Sequence, residues 1–415
     1  MMQRYWKLIS LISVIVLVIG TFYIQSSMAA SRLPEFVLEK VSGDEAEIKQ
    51  LSLEANYYQN AELGEWFQLN NEGTTYWNEY SYWDRMIGIN HNAKIEQLRQ
   101  DYRKFMRGKS ENPYSFHENE ELLVYVDLTW DMVNGYQPND FKLDIAVLDK
   151  VSKEETSFQA AIPKTNQSVY SFDVEGIYLK NGQLKVITRN SGHDSQSERD
   201  FTNYPVYLID IATQTIKTEN IITAKDAEVS SNQFQELLMI RNKWEDFQQP
   251  SDFIVFEEKV VEERMIDEWE ITFDTVDREL FVYNLESEDK EQIKLPKELQ
   301  EDASAEMVIG TTIYFVEKSE GVLVITSYNF ESGEIEAKQT IAVPEVADEQ
   351  GYMYKINDDK VYVVPVSKNA KQDLLLQIVH LKTGDTLYEG KVTMKNPNKQ
   401  GIDYDLDIQS IDLDN

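Results

Sequence analysis

The run Val322-Leu323-Val324-Ile325-Thr326-Ser327-Tyr328-Asn329-Phe330-Glu331-Ser332-Gly333 decides the fold. Its first part is apolar and β-branched, the composition of a strand. Its end is turn chemistry, a polar residue followed by Ser-Gly, which reverses the chain. The same phrase recurs along the sequence. With the chain aligned on Asp149, Asp210, Asn284, Asn329 and His380, the position four residues earlier is always apolar: Ile145, Val206, Leu280, Ile325 and Leu376. The residue just before is Leu148, Ile209, Tyr283, Tyr328 or Val379, and three residues later stands a hydroxyl: Ser152, Thr213, Ser287, Ser332 or Thr383. The intervals are 61, 74, 45 and 51 residues. A strand that stops at a polar residue, turns on a hydroxyl and returns is the unit of an antiparallel meander. Val37-Leu38-Glu39-Lys40-Val41-Ser42 echoes Val147–Ser152 at a distance of 110 residues, about two repeat lengths, so roughly seven units are expected.

Other strand-like runs, such as Leu122–Leu128, Phe141–Leu148, Phe253–Phe256, Lys360–Val366 and Leu374–Leu381, are punctuated by turn residues at Asn181, Asp358, Ser332 and Thr383. Degenerate units of this length, each ending on a strand, a polar residue and a turn, resemble those of a β-propeller, whose blades are four-stranded. The resemblance implies an all-β fold over residues 31–415 with about seven degenerate blades. It is carried by the repeat alone, since the ordered Gly-His…Trp-Asp signature of WD40 blades, the kelch diglycine and quinoprotein motifs are absent. A sandwich or another antiparallel arrangement shares the same local pattern. Ring closure would remove free sheet edges, and Ile402–Leu413 supplies a strand suited to lie beside the N-terminal one. Two segments break the β pattern and read as helical insertions, near 91–108 (Ile95, Leu98, Tyr102 and Phe105 or Met106 at helical spacing) and near 226–244 (Phe234, Leu237, Leu238 and Ile240).

Residues 1–30 are a separate element, either a membrane anchor or a signal peptide. They contain no acid, and Arg4 and Lys7 precede an apolar run from Leu8 to Ile24, at the short end of what spans a bilayer. Basic residues on the N-terminal side hold that end in the cytoplasm and place the rest outside. Tyr5, Trp6, Phe22 and Tyr23 flank the run as interfacial aromatics do, which favours retention, whereas Ser27-Met28-Ala29 has the small residues of a cleavage site. The expected address is the bacterial cell membrane, single-pass with the C-terminal domain extracytoplasmic, or the secreted pool if cleaved.

Composition narrows the function. The 415 residues carry 73 acids and 40 bases, a formal charge of −33, which argues against nucleic acid as a partner. The chain has no cysteine, so disulfides, thiolate metal sites and a cysteine nucleophile are excluded. The four histidines, His91, His117, His193 and His380, form no zinc motif, and His380 occupies a repeat position that suits a turn. Ser191-Gly192-His193-Asp194-Ser195 reads as an exposed turn, because adjacent residues cannot face one another as a relay. Asp403, Asp405 and Asp407 alternate, so a strand would put them on one face, where a divalent cation is the one cofactor to consider. Like Glu257–Glu270, they also read as the solvated side of an edge strand.

Two surfaces are candidates for partner binding. The aromatics Trp66, Phe67, Tyr76, Trp77, Tyr80, Tyr82 and Trp83 fall within 18 residues and would grip sugar rings or a protein, unless they pack a blade core. The bases Lys94, Arg99, Arg103, Lys104 and Arg107 make a positive island in an acidic chain. They suit lipid head groups, an acidic partner, or acids of the same domain. The expected role is a membrane-anchored interaction module of the bacterial envelope, sensing or regulatory, with a protein or wall-polymer partner. An exported carboxylate-dependent hydrolase and an exported cation-binding structural protein are the alternatives.

Overall fold

The computed structural model describes residues 33–59, 64–81, 93–133, 137–163, 168–180, 183–194, 199–225, 229–230, 232–240, 253–266, 271–300, 303–319, 321–343, 351–366, 374–395 and 404–413, with Ser13, Val14, Leu17 and Thr21. The fold is all-β. In chain order the strands are β1 (Phe36–Gly43), β2 (Leu51–Gln59), β3 (Glu65–Asn70), β4 (Gly73–Tyr76), β5 (Phe116–Glu118), β6 (Leu122–Val133), β7 (Gln137–Asp149), β8 (Glu155–Ala161), β9 (Ser168–Lys180), β10 (Gln183–Asp194), β11 (Arg199–Asp210) and β12 (Thr215–Thr223). They continue as β13 (Gln233–Ile240), β14 (Phe253–Met265), β15 (Ile271–Asn284), β16 (Lys290–Ile293), β17 (Ser304–Ile309), β18 (Thr312–Ser319), β19 (Val322–Asn329), β20 (Glu334–Ala342), β21 (Tyr352–Asn357), β22 (Lys360–Pro365), β23 (Leu374–His380), β24 (Thr386–Met394) and β25 (Tyr404–Leu413).

Among the described residues these strands make six sheets, where the repeat count suggested about seven units. Four sheets are simple meanders, β5–β8, β9–β12, β13–β16 and β17–β20, each running through consecutive strands. The other two interleave the ends of the chain: β1 adds to β24 in the order β1-β24-β23-β22-β21, and β25 adds to β2 in the order β25-β2-β3-β4. The Val37–Ser42 echo is therefore no turn unit. It lies inside β1, which pairs with β24 from Phe36↔Met394 to Gly43↔Tyr388. The expectation for Ile402–Leu413 is met in kind, with β25 paired to β2 from Leu51↔Leu413 to Gln59↔Tyr404.

Two compact units divide the chain: Met1–His91, Lys318–Ile325 and Ala337–Asn415 form the first, Asn92–Glu317 and Thr326–Glu336 the second. In the first, Phe36, Leu53, Phe67, Leu376, Tyr388 and Ile408 belong to one core, drawn from the two interleaved sheets. In the second, apolar cores join β5–β8 to β9–β12, β9–β12 to β13–β16, and β13–β16 to the sheet of β17–β20.

The recurring phrase has a shared physical basis. The residues four before each polar position are 0–2% exposed, so each strand is anchored in the core just upstream of its turn. The polar side chain then takes the free backbone donors of the turn. Asp149 Oδ1 accepts from Val151 and Ser152, Asn284 Oδ1 from Glu286 and Ser287, and Asn329 Oδ1 from Glu331 and Ser332. Asp210 Oδ1 accepts from Thr213, and His380 Nδ1 from Lys382 and Thr383. With Nδ1 accepting, the His380 proton sits on Nε2, which faces Asp359 at 3.1 Å. The next residue is left-handed in every copy: Lys153, Gln214, Glu288, Gly333 and Gly384 have φ of 56–73°. A sixth copy escaped the alignment because Gly73 stands where the other copies have a hydroxyl and its turn is shorter by at least two residues: Asn70 Oδ1 accepts from Glu72 and Gly73.

These bonds give a pH prediction. Backbone donation, from Ser152 first and then Val151, holds the Asp149 carboxyl below its ordinary value of 3.8. A pKa depressed on folding stabilises the fold above the unfolded value and is lost as pH falls through the lower folded one. In an NMR titration Asp149 should ionise below pH 3.8, and Asp149→Asn should keep the turn while removing this acid sensitivity. A midpoint at or above the ordinary value would contradict the assignment.

The first insertion is a helix, though shorter than its pattern: α1 spans Ala93–Asp101 and passes into turns that end at Gly108, φ 76°. The second is corrected. Residues 233–240 are β13, and its apolar residues serve both faces of a strand, with Leu237 and Met239 toward one core and Ile240 toward another. Apolar residues on both faces, Phe234 and Leu238 among them exposed, mimic helical spacing in a short run. The long 74-residue interval reflects instead the 13- and 14-residue strands β14 and β15 and the stretch 241–252, which lies outside the described residues. At the N-terminus Ser13, Val14, Leu17 and Thr21 are helical, and no helix among the described residues is long and apolar enough to cross a membrane.

Candidate functional site

The aromatic cluster divides by strand alternation. On β3, Phe67 points inward and stacks on Phe36 at 5.0 Å, while Trp66 and Gln68 are half-buried. Tyr76, at the end of β4, belongs to the core: its hydroxyl donates to the Pro34 carbonyl at 2.7 Å, and burial pushes its pKa well up. The chain then leaves the sheet in a 3-10 turn over Trp77–Glu79. There Trp77, 41% exposed, meets Trp66 edge-on at 5.9 Å. Tyr80 lies 6.1 Å from Trp66 and donates its hydroxyl to Gln68 Oε1 at 2.5 Å. The result is an outward patch of three rings, with Trp66 at its centre and an amide on its rim. Tyr82 and Trp83 lie outside the described residues.

The basic helix also divides. Ile95 and Leu98 are buried with Phe116, Leu123 and Tyr125 of the β5–β8 sheet, which fixes the orientation of α1. Lys94 then meets Glu118 at 2.9 Å, and Lys150 reaches the same carboxylate at 3.0 Å. Burial works against the Glu118 anion, but the two ammonium groups outweigh it and hold its pKa low. Arg99 is held by Glu96 at 2.9 Å and Glu111 at 2.7 Å. Lys94 and Arg99 are thus spent within the domain. Arg103, Lys104 and Arg107 are exposed and make no ion pair among the described residues.

The acid-rich run Glu257–Glu270 is not a uniformly solvated face. Glu257 and Glu258 are buried. Glu257 pairs with Arg278 at 2.5 Å and Lys259 at 2.8 Å, and Arg278 also donates to the carbonyls of Leu299 and Ala303. Arg278 lines a cleft of about 690 Å³ between residues 275–280 of β15 and residues 292–295 and 300. Sequence reasoning missed this network because Glu257 is one acid among many and its partner sits on the next strand.

Other candidates resolve into structure. The segment Ser191–Asp194 belongs to β10 and is not a turn. His193 Nδ1 lies 2.9 Å from Asp200, but the Ser191 hydroxyl bonds Thr202 at 3.1 Å instead of the imidazole. His117 is buried, and desolvation lowers its pKa. Asp405 and Asp407 alternate with buried Leu406 and Ile408 on the edge strand β25, and Asp403 lies outside the described residues. No group of three or more metal-ligating side chains occurs among the described residues. Glu54 has a raised carboxyl pKa, caused by burial and then by Asp412.

No family model matches the chain, and no curated protein matches it. Among solved structures, an uncharacterized protein of Listeria monocytogenes EGD-e aligns over 67% of this chain and 83% of its own, at 8% identity and a TM-score of 0.27. Dipeptidyl peptidase 4 of Porphyromonas gingivalis aligns over 68% of this chain and 47% of its own, at 9% identity and 0.30. A putative 6-phosphogluconolactonase of Bacteroides uniformis aligns over 83% and 98%, at 10% identity and 0.27. Likeness at this level assigns neither fold nor activity.

Proposed function

We propose that the chain is a membrane-tethered, extracytoplasmic interaction module whose sheets are the blades of a propeller-like array. The Trp66–Trp77–Tyr80 patch carries the reading. These rings stand outside the core cluster that takes in Phe67 and Tyr76 a few residues away. Rigid aromatics with a polar rim supply contact area at low entropic cost, as at binding hot spots. The interleaved strands β1 and β25 support a closed array, and the acid-free, apolar N-terminus supports the tether. The partner is a protein or a wall polymer.

A photo-reactive residue placed at 77 in intact cells tests this. It should give a discrete adduct for a protein partner, or a ladder for a polymer, and Trp66→Ala should abolish either. The same probe at Val151, 82% exposed on a turn, should give none. Equal labelling at the two positions would refute the patch.

A further inference from the structure

The hairpin of β14 and β15 reaches beyond the strands that flank it. The ladder between β15 and β16 covers only Leu280–Tyr283. On that side the segment Ile271–Glu279 has no strand beside it among the described residues. A run of nine residues is a long free edge, and free edges are where an extended peptide adds as a further strand. The cleft of about 690 Å³ adjoins this edge, with Gln292, Lys294 and Gln300 across it.

The side chains around the edge define the guest. Glu263↔Phe273 and Met265↔Ile271 are directly opposed, so these four share one face of the hairpin. Phe234, opposite Val261, joins them and meets Phe273 edge-on at 6.1 Å. Phe273 is 61% exposed, Met265 67% and Ile271 48%, an unusual apolar exposure for neighbouring residues of one sheet. Glu263 on this face makes no ion pair among the described residues, and neither does Asp277 farther along the edge. On the opposite face Asp274 shares Arg264 with Glu262. From Glu257 to Glu279 the sequence carries ten acids against three bases, a local −7. Lys294 across the cleft, which makes no ion pair among the described residues, does not balance it.

We infer that the open edge of β15 binds an extended segment of another protein in which apolar residues alternate with lysine or arginine. Its backbone continues the sheet. Its apolar side chains lie beside Ile271 and Phe273, and its cations face Asp277 and the Arg264-paired Asp274 on the other side, because side chains of an added strand alternate between faces. The negative hairpin attracts such a segment from a distance. This surface is separate from the aromatic patch, so either can fail without the other.

The test is fluorescence anisotropy of a labelled, short peptide of alternating lysine and valine, titrated with the full chain in detergent micelles. Saturable binding is expected, weakened about tenfold by Phe273→Ser, weakened by salt, and absent for a glutamate–valine peptide. N-methylating alternate peptide bonds should abolish binding without touching the protein, since it removes the strand's donors. Three results would overturn the proposal: no binding to the wild-type chain, undiminished binding of the N-methylated peptide, or self-association of the chain that Phe273→Ser dissolves. The last would make a second copy the occupant.

Discussion

Replacing Arg278 by alanine should lower the stability of the chain by about 3–5 kcal/mol, the cost of leaving one member of a buried ion pair without its partner. Glu257 is 2% exposed and cannot recover water when the guanidinium leaves. Lys259 remains at 2.8 Å, but an ammonium reaching along its own strand cannot replace a fork that also serves the Leu299 and Ala303 carbonyls. Truncation thus costs a charge pair and leaves two carbonyls short of a donor at once. Arg278→Lys should recover only part of the loss. The double variant Glu257→Leu with Arg278→Leu should recover more, since it removes the stranded charge as well. Urea unfolding of the four chains decides the matter. If Arg278→Ala unfolds within about 0.5 kcal/mol of wild type, the range of ordinary surface substitutions, the pair is not the strut described here.

How much of this was legible beforehand depends on the range of the interaction. The turn phrase at Asp149, Asn284 and Asn329 was readable because everything that makes it lies within five residues: an anchored strand, an accepting side chain, a hydroxyl and a left-handed residue. Asn70 was missed because its turn is shorter by at least two residues and carries Gly73 in the hydroxyl position. The 233–240 run was misread because apolar residues stand on both faces of the strand, Phe234, Leu238 and Ile240 on one and Leu237 and Met239 on the other, which hides its period of two. The partner of Glu257 was invisible, since which acid of a run faces inward is set by register with β15, which the run does not encode. The same holds for the candidate surfaces. The sequence placed aromatics and bases near one another, but only the fold separates Tyr76 from Trp77, and Arg99 from Arg103. The open edge of β15 depends on the shortness of β16, four residues that carry no signal of their own.

Deleting residues 404–415 should unfold the unit that holds β1–β4 and β21–β24. The removed strand contributes Leu406, Ile408, Ile411 and Leu413, each 6% exposed or less. At roughly 1.5–3 kcal/mol for each buried aliphatic side chain, their loss comes to roughly 6–12 kcal/mol, and the compact denatured state makes this an upper figure. That is comparable to the whole stability of a domain, roughly 5–15 kcal/mol. The deletion also strips β2 of its neighbour from Leu51 to Gln59 and exposes a fresh sheet edge, so aggregation should accompany the loss. Ile408→Asp is the milder form, placing a charge where the side chain is 2% exposed, and should cost several kcal/mol without shortening the chain. A synthetic peptide of residues 404–415 added to the truncated chain should restore the melting transition, because the missing element is a strand whose partner positions on β2 are intact. Restoration separates a strand that completes the core from a tail whose removal merely harms solubility, since a solubility tail acts only when attached. A truncated chain that melts with the full-length one would remove the argument that β25 secures β2 and the core around it.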